Sequence, residues 1–338
     1  MTMRHMKRNS FLILVFIFLS AVSCKKNIAP SAITNNHLTA TAAAPNFRVV
    51  GYLNTWDNFP DNVNSIDLAK ITHLNIAFAE PNPSGNLTKF TGIDSVVNKA
   101  HAANVKVLIS LGGADLGGTK GHWKDLTTPA NVNAFCAKIL SYLQQYNLDG
   151  VDIDLEGHTI GPDNYATFIQ TLSSLLKPQN KLVTAAVATW FAPQIPTSSF
   201  DYFDFVNIMS YDATGPWDPN DSGPSAPYSL AEKDIKFWGN KGLPQNKMGL
   251  GVPFYGWGFG SAFSQDDYSF KKIVATYPGA ENVDEIGSTI YYNGIPTIKM
   301  KTMLAMQKAS GIMIWELTED AKGKNSLLNA IHVVITGN

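Results

Sequence analysis

From Phe47 onward the chain alternates between short apolar runs and stretches in which apolar residues recur every three or four positions. The runs Arg48–Asn54, Ile71–Ala79, Val105–Ser110, Gly150–Glu156, Leu182–Ala188, Phe203–Tyr211, Met248–Phe254 and Gly311–Trp315 are rich in Val, Ile, Leu and Ala. Such composition is expected of parallel strands covered on both faces. Helical spacing appears at Val97–Ala103, Pro129–Tyr146, Tyr165–Leu176, Leu230–Trp238, Thr297–Ala309 and Ser326–Val334. In the longest of these, Val132, Phe135, Ile139, Leu140 and Leu143 form one apolar stripe. Thr128 is the expected N-cap there, with Pro129 at the first helical position. Eight strand-then-helix units in about 290 residues predict an α/β fold, a single (β/α)8 TIM barrel over residues 47–338. A doubly wound open sheet is the rival. It is disfavoured because Gly51-Tyr-Leu-Asn-Thr-Trp56 stands where a glycine-rich phosphate turn would follow the first strand.

One strand breaks the apolar rule. In Leu148-Asp-Gly-Val-Asp-Ile-Asp-Leu-Glu-Gly157, Val151, Ile153 and Leu155 alternate with Asp152, Asp154 and Glu156. Side chains on a strand alternate between faces, so the three carboxyls form a single row about 6.5 Å apart. Burial and mutual repulsion predict coupled titration and raised pKa values. Nothing in that arrangement stabilises a fold, so the carboxyls are expected to do chemistry. Asp149 points to the opposite face and is expected to make structural hydrogen bonds.

The N-terminus has a different pattern. Arg4, Lys7 and Arg8 precede the apolar run Phe11–Leu19 and the small residues Ser20-Ala21-Val22-Ser23. The run is too short to span a bilayer and reads as a secretory signal over residues 1–23. Cys24 follows directly, as in the lipidated cysteine of bacterial lipoproteins, with Ala21 where that motif usually has Leu. Residues 24–46 are rich in Ala, Thr and Asn without apolar periodicity and are expected to be a disordered tether. The expected location is therefore outside the cytoplasm, anchored to a bacterial membrane through Cys24. Cys136 is the sole remaining cysteine, which rules out an intramolecular disulfide in the mature domain and predicts buried helix filler.

Charged residues make up 16% of the chain and net charge is −1, which argues against nucleic acid as a partner. Seven Trp and twelve Tyr suit either aromatic barrel filling or a neutral ligand with flat apolar faces. In a barrel the chemistry sits at the C-terminal strand ends. Standing there are Tyr52 and Trp56, Phe78 and Glu80, Ser110-Leu-Gly-Gly113, Glu156, Trp190, Met209-Ser-Tyr-Asp212, Pro253-Phe-Tyr-Gly-Trp257 and Trp315-Glu316. Carboxyls and aromatics converging on one rim suit a sugar chain.

Asp149-Gly-Val-Asp-Ile-Asp-Leu-Glu156 resembles the Asp-Gly-x-Asp-x-Asp-x-Glu signature of family 18 glycoside hydrolases, the chitinase family, at every fixed position. Ser110-Leu-Gly-Gly113, Met209-Ser-Tyr-Asp212, Gly251-Val-Pro-Phe-Tyr-Gly256 and Gly311-Ile-Met-Ile-Trp-Glu316 are similar to the family's signatures on strands three, six, seven and eight. The resemblance implies substrate-assisted hydrolysis, in which the substrate's N-acetyl oxygen is the nucleophile. By that resemblance Glu156 is the general acid and then base. Asp154 holds the acetamido N–H, Asp152 shares a proton with Asp154, and Tyr211 orients the acetamido oxygen. Trp315 is the hydrophobic floor, and Tyr52, Met209, Asp212 and Tyr255 line the pocket, with Phe78 and Gly113 beside them. The implied substrate is chitin or N-acetylglucosamine oligosaccharides, with no cofactor or metal and a monomeric chain. Two alternatives stay open: an endo-β-N-acetylglucosaminidase acting on N-glycans, and a chitin-binding lectin.

Other residues carry plainer expectations. Ser110, Gly112 and Gly113 suit close strand packing beside the acids, and His158 suits a solvated rim loop. Trp190, Trp217 and Trp257 suit core, rim or sugar platforms alike. An acidic triple can bind Mg²⁺, but the interleaved aliphatics and nearby aromatics argue against it. The chain departs from the commonest family pattern at Leu155 and Gly157, where Trp and Tyr often flank the acid, and at Trp257, where Arg often follows Phe-Tyr-Gly. The connection from Trp257 to Gly311, with a possible strand at Thr289–Tyr292, is expected to be too short for a full α+β insertion, leaving an open groove.

Overall fold

A computed structural model describes residues 46–114, 122–157 and 161–337. The expected signal segment, Cys24, the tether up to residue 45 and His158 lie outside the described residues. In chain order the strands are β1 Arg48–Asn54, β2 His73–Ala79, β3 Lys106–Gly113, β4 Gly150–Leu155, β5 Leu182–Val187, β6 Phe205–Ile208, β7 Met248–Pro253, β8 Tyr255–Gly258, β9 Tyr268–Ser269, β10 Glu285–Ile286, β11 Ile290–Tyr291 and β12 Gly311–Trp315. The helices are α1 Ile93–Ala102, α2 Trp123–Leu126, α3 Val132–Gln145, α4 Pro162–Leu176, α5 Tyr228–Asn240, α6 Phe270–Thr276, α7 Ile295–Lys308 and α8 Leu327–Thr336.

Strands β1 to β7 and β12 close into a parallel barrel in the order β1-β12-β7-β6-β5-β4-β3-β2. The expected (β/α)8 architecture is therefore present. Its strands are buried on both sides because helices cover the outside while side chains fill the inside. Val151 and Ile153 face the main core, as do Phe135, Ile139 and Leu143 from α3 and Phe168, Ile169 and Leu172 from α4. Cys136 is fully buried in the same layer, as filler.

Local details differ from the sequence expectation where side chains compete for the backbone. Helix α3 begins at Val132, not at Pro129. The Thr128 carbonyl does accept from Val132 N at 2.9 Å, so the turn begins near the expected place. The Thr128 hydroxyl, however, donates backward to the Asp125 carbonyl and closes the preceding turn instead of capping α3. The β1–β2 and β5–β6 connections carry short 3-10 turns, such as Asp61–Ser65 and Thr189–Gln194, in place of α-helices. The Trp257–Gly311 connection holds more than one possible strand. It contributes to a small four-stranded antiparallel sheet in the order β10-β11-β8-β9, together with the seven-residue helix α6. Among the described residues no helix is long and apolar enough to cross a membrane.

Candidate active site

The acidic row lies on β4 as its alternation requires, and neighbouring strands decide how each carboxyl is treated. Asp152 pairs in register with Ser110 on β3 and Thr184 on β5. Both hydroxyls reach it: Ser110 Oγ donates to Oδ2 at 2.8 Å and Thr184 Oγ1 to Oδ1 at 2.5 Å. From β1, Tyr52 OH donates to the same Oδ2 at 2.6 Å. Burial raises the Asp152 pKa, and the hydrogen bonds from Thr184, Tyr52 and Ser110 oppose that rise. Three donors and no acceptor favour the ionised form.

Asp154, two residues on, has the opposite surroundings. It is 3% exposed, and its Oδ1 has no hydrogen-bond partner among the described residues. Desolvation, then the charges of Glu156 and Asp152, push its pKa well above the usual carboxylate range. The row therefore places a carboxyl that favours its proton between two others. Opposite Asp154 on β3 stands Gly112 at φ +108°, where a Cβ would lie 2.3 Å from the Asp154 carbonyl oxygen. Gly113, at φ +88°, similarly makes room for the Phe78 ring, 2.7 Å from its virtual Cβ. The close-packing expectation for these glycines holds, and Ser110 adds a direct hydrogen bond to it. Asp149, on the other face, accepts from Val107 N and faces His101 Nε2, both at 2.7 Å, as a structural residue should.

A cavity of about 330 Å³ opens above the row. Asp154, Glu156, Phe78, Gly113, Met209, Tyr211, Asp212 and Trp315 all line it, joined by Trp56, Gly112 and Ala114. Of the residues expected at the site, Tyr52 and Asp152 lie buried and bonded to each other. Tyr255 is buried and contacts Asp212. One wall is aromatic: Trp315 stacks with Phe78 at 5.3 Å, and Trp56 with Phe78 at 6.2 Å. Tyr52 tilts against Trp315 at 5.4 Å. Among the described residues the Tyr211 hydroxyl has one hydrogen bond, a long contact to Met313 Sδ at 3.9 Å, and burial and nearby carboxylates raise its pKa, keeping it a neutral donor. A larger polar groove of about 570 Å³, lined by Lys70, Lys271 and Lys324 among others, contains none of the acidic row.

Asp212 sits at the rim in the left-handed region, φ +60°. Its Oδ1 accepts from Tyr255 OH at 2.7 Å and Trp257 Nε1 at 2.9 Å. Surrounding protein raises its pKa and these two donors lower it. Trp190 and Trp217 are 61% and 58% exposed, which excludes core filling for both. Among the described residues no three His, Cys, Asp or Glu side chains converge as a metal site.

The family model for glycosyl hydrolases family 18 matches residues 48–320. The chain belongs to this family. Among solved structures it is similar to the family 18 chitinase ChiB from the chitin utilization locus of Flavobacterium johnsoniae, with TM-score 0.81 and 40% identity over 87% of this chain and 95% of that one. A chitinase from Bacteroides thetaiotaomicron gives TM-score 0.76 and 30% identity over 86% and 96%. A chitinase-like effector of Moniliophthora roreri is 30% identical over 67% of this chain and 62% of the effector. The chain thus spans less than two thirds of that relative's length.

Within this family 18 chain, sequence reasoning missed Thr184, and it placed Trp56 at the rim without its stacking partner. Thr184 is the lone hydroxyl in the apolar strand Leu182–Val187, a signal that was available. Trp56 was visible near the end of β1, but its stack on Phe78 required the β1–β2 loop geometry. Asp234 on α5 is a third supporting group: it accepts from Ser210 Oγ at 2.8 Å and Thr189 Oγ1 at 2.7 Å, fixing the residue before Tyr211.

Proposed function

We propose that the chain is a retaining hydrolase of β-1,4 linkages between N-acetylglucosamine units, in chitin or its oligosaccharides, with the substrate's own acetamide as nucleophile. The observation carrying this reading is that Asp152 and Asp154 descend from one face of β4 and Glu156 follows at its end, with Asp154 and Glu156 on the cavity. A two-carboxylate double displacement needs a nucleophile across the sugar ring from the acid. The other walls offer Tyr211, Met209, Phe78 and Trp315, and the rim carboxylate Asp212 has Oδ1 held by two donors. The nucleophile is then supplied by the sugar.

In the first step the acetamido oxygen bonds to the anomeric carbon as the glycosidic C–O bond breaks. Glu156 gives its proton to the leaving oxygen. In the second, Glu156 takes a proton from water as that water opens the oxazolinium ring on the same face. Asp154 holds the acetamido N–H and balances the positive charge, exchanging a proton with Asp152 as it turns. Tyr211 OH orients the acetamido oxygen, and Trp315 is the floor. An intramolecular nucleophile so aligned is worth ~7 kcal/mol or more of barrier. The exposed Trp190 and Trp217 are platforms for neighbouring sugars. The solved chitinases, over 95% and 96% of whose lengths the similarity extends, support chitin over an N-glycan as substrate.

Time-resolved product analysis on chitin tetramer to hexamer, with anomer detection, tests the reading. Fresh β-anomer is expected, and Glu156→Gln should keep binding while lowering kcat by about 10²–10⁴. Initial α-anomer, or unchanged turnover in the variant, would refute it. Release of high-mannose glycan without cleavage of chitin oligomers would transfer the site to the endo-β-N-acetylglucosaminidase reading, and oligomer binding without hydrolysis to the lectin. The leader and Cys24 support export with a lipid anchor.

A further inference from the structure

The segment inserted after β7 holds both ends of the loop that Asp212 opens. Asp212 opens the loop 212–226 between β6 and α5, and the neck of that loop is closed by Ala213 N donating to Ser225 O at 2.8 Å. At one end, Tyr255 and Trp257 of β8 both donate to Asp212 Oδ1. At the other, the Ala226 carbonyl accepts from Asn293 Nδ2 at 2.9 Å and from the fully buried Lys301 Nζ at 2.7 Å. All four donors lie between β7 and β12, on the inserted segment or the helix that follows it.

Trp257 is held on two sides although it is only half-buried. Its ring meets Tyr255 edge-on at 5.7 Å and Trp217 at 5.8 Å, and its backbone is paired with Tyr291 of β11. An indole wedged edge-to-face on two sides cannot swing its N–H away from the carboxylate without losing those contacts. With both donors on Oδ1, and no donor to Oδ2 among the described residues, the second oxygen is left for the cleft that Asp212 lines. Trp257 does not itself line that cavity.

We infer that Trp257 is a positioning residue: its indole N–H, backed by the small antiparallel sheet, holds Asp212 so that the free carboxylate oxygen receives the sugar. This rests on the function proposed above. An arginine on the same backbone position carries N–H donors on a longer stem and pairs readily with a carboxylate, so it can take over the role of the indole N–H.

The test uses chitotetraose. Calorimetric titration into Glu156→Gln is compared with Glu156→Gln/Trp257→Phe, which keeps an aromatic ring and removes the N–H together with the five-membered ring that carries it. Binding should weaken about tenfold, the scale of one hydrogen bond to a charged group. In the otherwise native enzyme, Trp257→Phe should raise KM by a similar factor with kcat within about twofold. Trp257→Arg should restore binding to within about threefold, and melting temperatures of the variants should agree with the parent. Unchanged binding in the double variant would overturn the inference alone. So would a combined loss of melting temperature, kcat and KM that arginine does not rescue. Failure of Glu156→Gln itself to bind chitotetraose would overturn the proposed function and this inference together.

Discussion

Replacing Asp154 by Asn tests the electrostatics of the acidic row through stability. Asp154 is 3% exposed, its Oδ1 lacks a partner among the described residues, and Asp152 and Glu156 flank it on the same face. Side chains two residues apart on a strand are about 6.6 Å apart. Each ionised pair would therefore repel by roughly 2.5 kcal/mol at an effective dielectric of about 20. Burial first, and these neighbours second, raise the Asp154 pKa. Above about pH 4 the unfolded chain has released this proton while the folded protein keeps it. The folded state then binds more protons, so stability is lost as pH rises, by about 1.4 kcal/mol per pH unit until Asp154 ionises. Asparagine has the same shape and does not titrate. The variant should match the parent near pH 4 and gain on it as pH rises. At roughly 2–4 °C per kcal/mol for a large domain, the gap in Tm should widen by about 3–6 °C per pH unit. Thermal melts from pH 4 to 8 measure it, and kcat should fall in the same variant because the acetamido N–H loses its anionic partner. Parallel Tm curves for the two proteins would refute the argument, since they would mean that Asp154 ionises as readily folded as unfolded.

Lys301 gives the opposite slope. Burial lowers its pKa to about 7, whereas the unfolded lysine keeps its proton to about pH 10.4. The unfolded state thus binds more protons between those values, and native stability should rise with pH across that window. Lys301→Met should lose this rise, and a Tm gap independent of pH from 7 to 10 would contradict it. Gly112→Ala forces a Cβ to 2.3 Å from the Asp154 carbonyl at a left-handed φ. It should cost roughly 2–5 kcal/mol in urea unfolding, and a native-like midpoint would be inconsistent with that packing. Cys24→Ala should abolish fatty-acid labelling and move the protein from the membrane fraction to the soluble one; unchanged partition would rule out the anchor.

The barrel and its acidic strand are legible in the sequence because both are periodic. A row of carboxyls at alternate positions announces itself in any strand, and continuous Val, Ile and Leu runs between helical stripes leave few ways to bury both faces. Phe78, Tyr211, Asp212 and Trp315 could be placed at the rim for a related reason: strand ends in a barrel all face one mouth. The short 3-10 turns between β1 and β2 and between β5 and β6 were not legible, since nothing periodic distinguishes them from short helices. The same holds for the start of α3, where the Thr128 hydroxyl had two carbonyl and amide partners within reach.

What only the tertiary structure decided is which neighbours each acid meets. Asp152 and Asp154 are the same residue type, two positions apart, on one face of one strand. Register places hydroxyls of Ser110 and Thr184 beside the first and a bare glycine beside the second. Three donors therefore oppose the rise that burial gives the Asp152 pKa, whereas burial and neighbouring charges push up the Asp154 pKa with no partner on Oδ1 among the described residues. Likewise, Trp257 reads as an ordinary rim aromatic until the inserted sheet carries its N–H to Asp212 across a separation of 45 residues. Alternation along a strand is a local property of the backbone and survives in the sequence. Hydrogen-bond partners come from strands distant in the chain, and their identity is set only when the barrel closes and fixes the register.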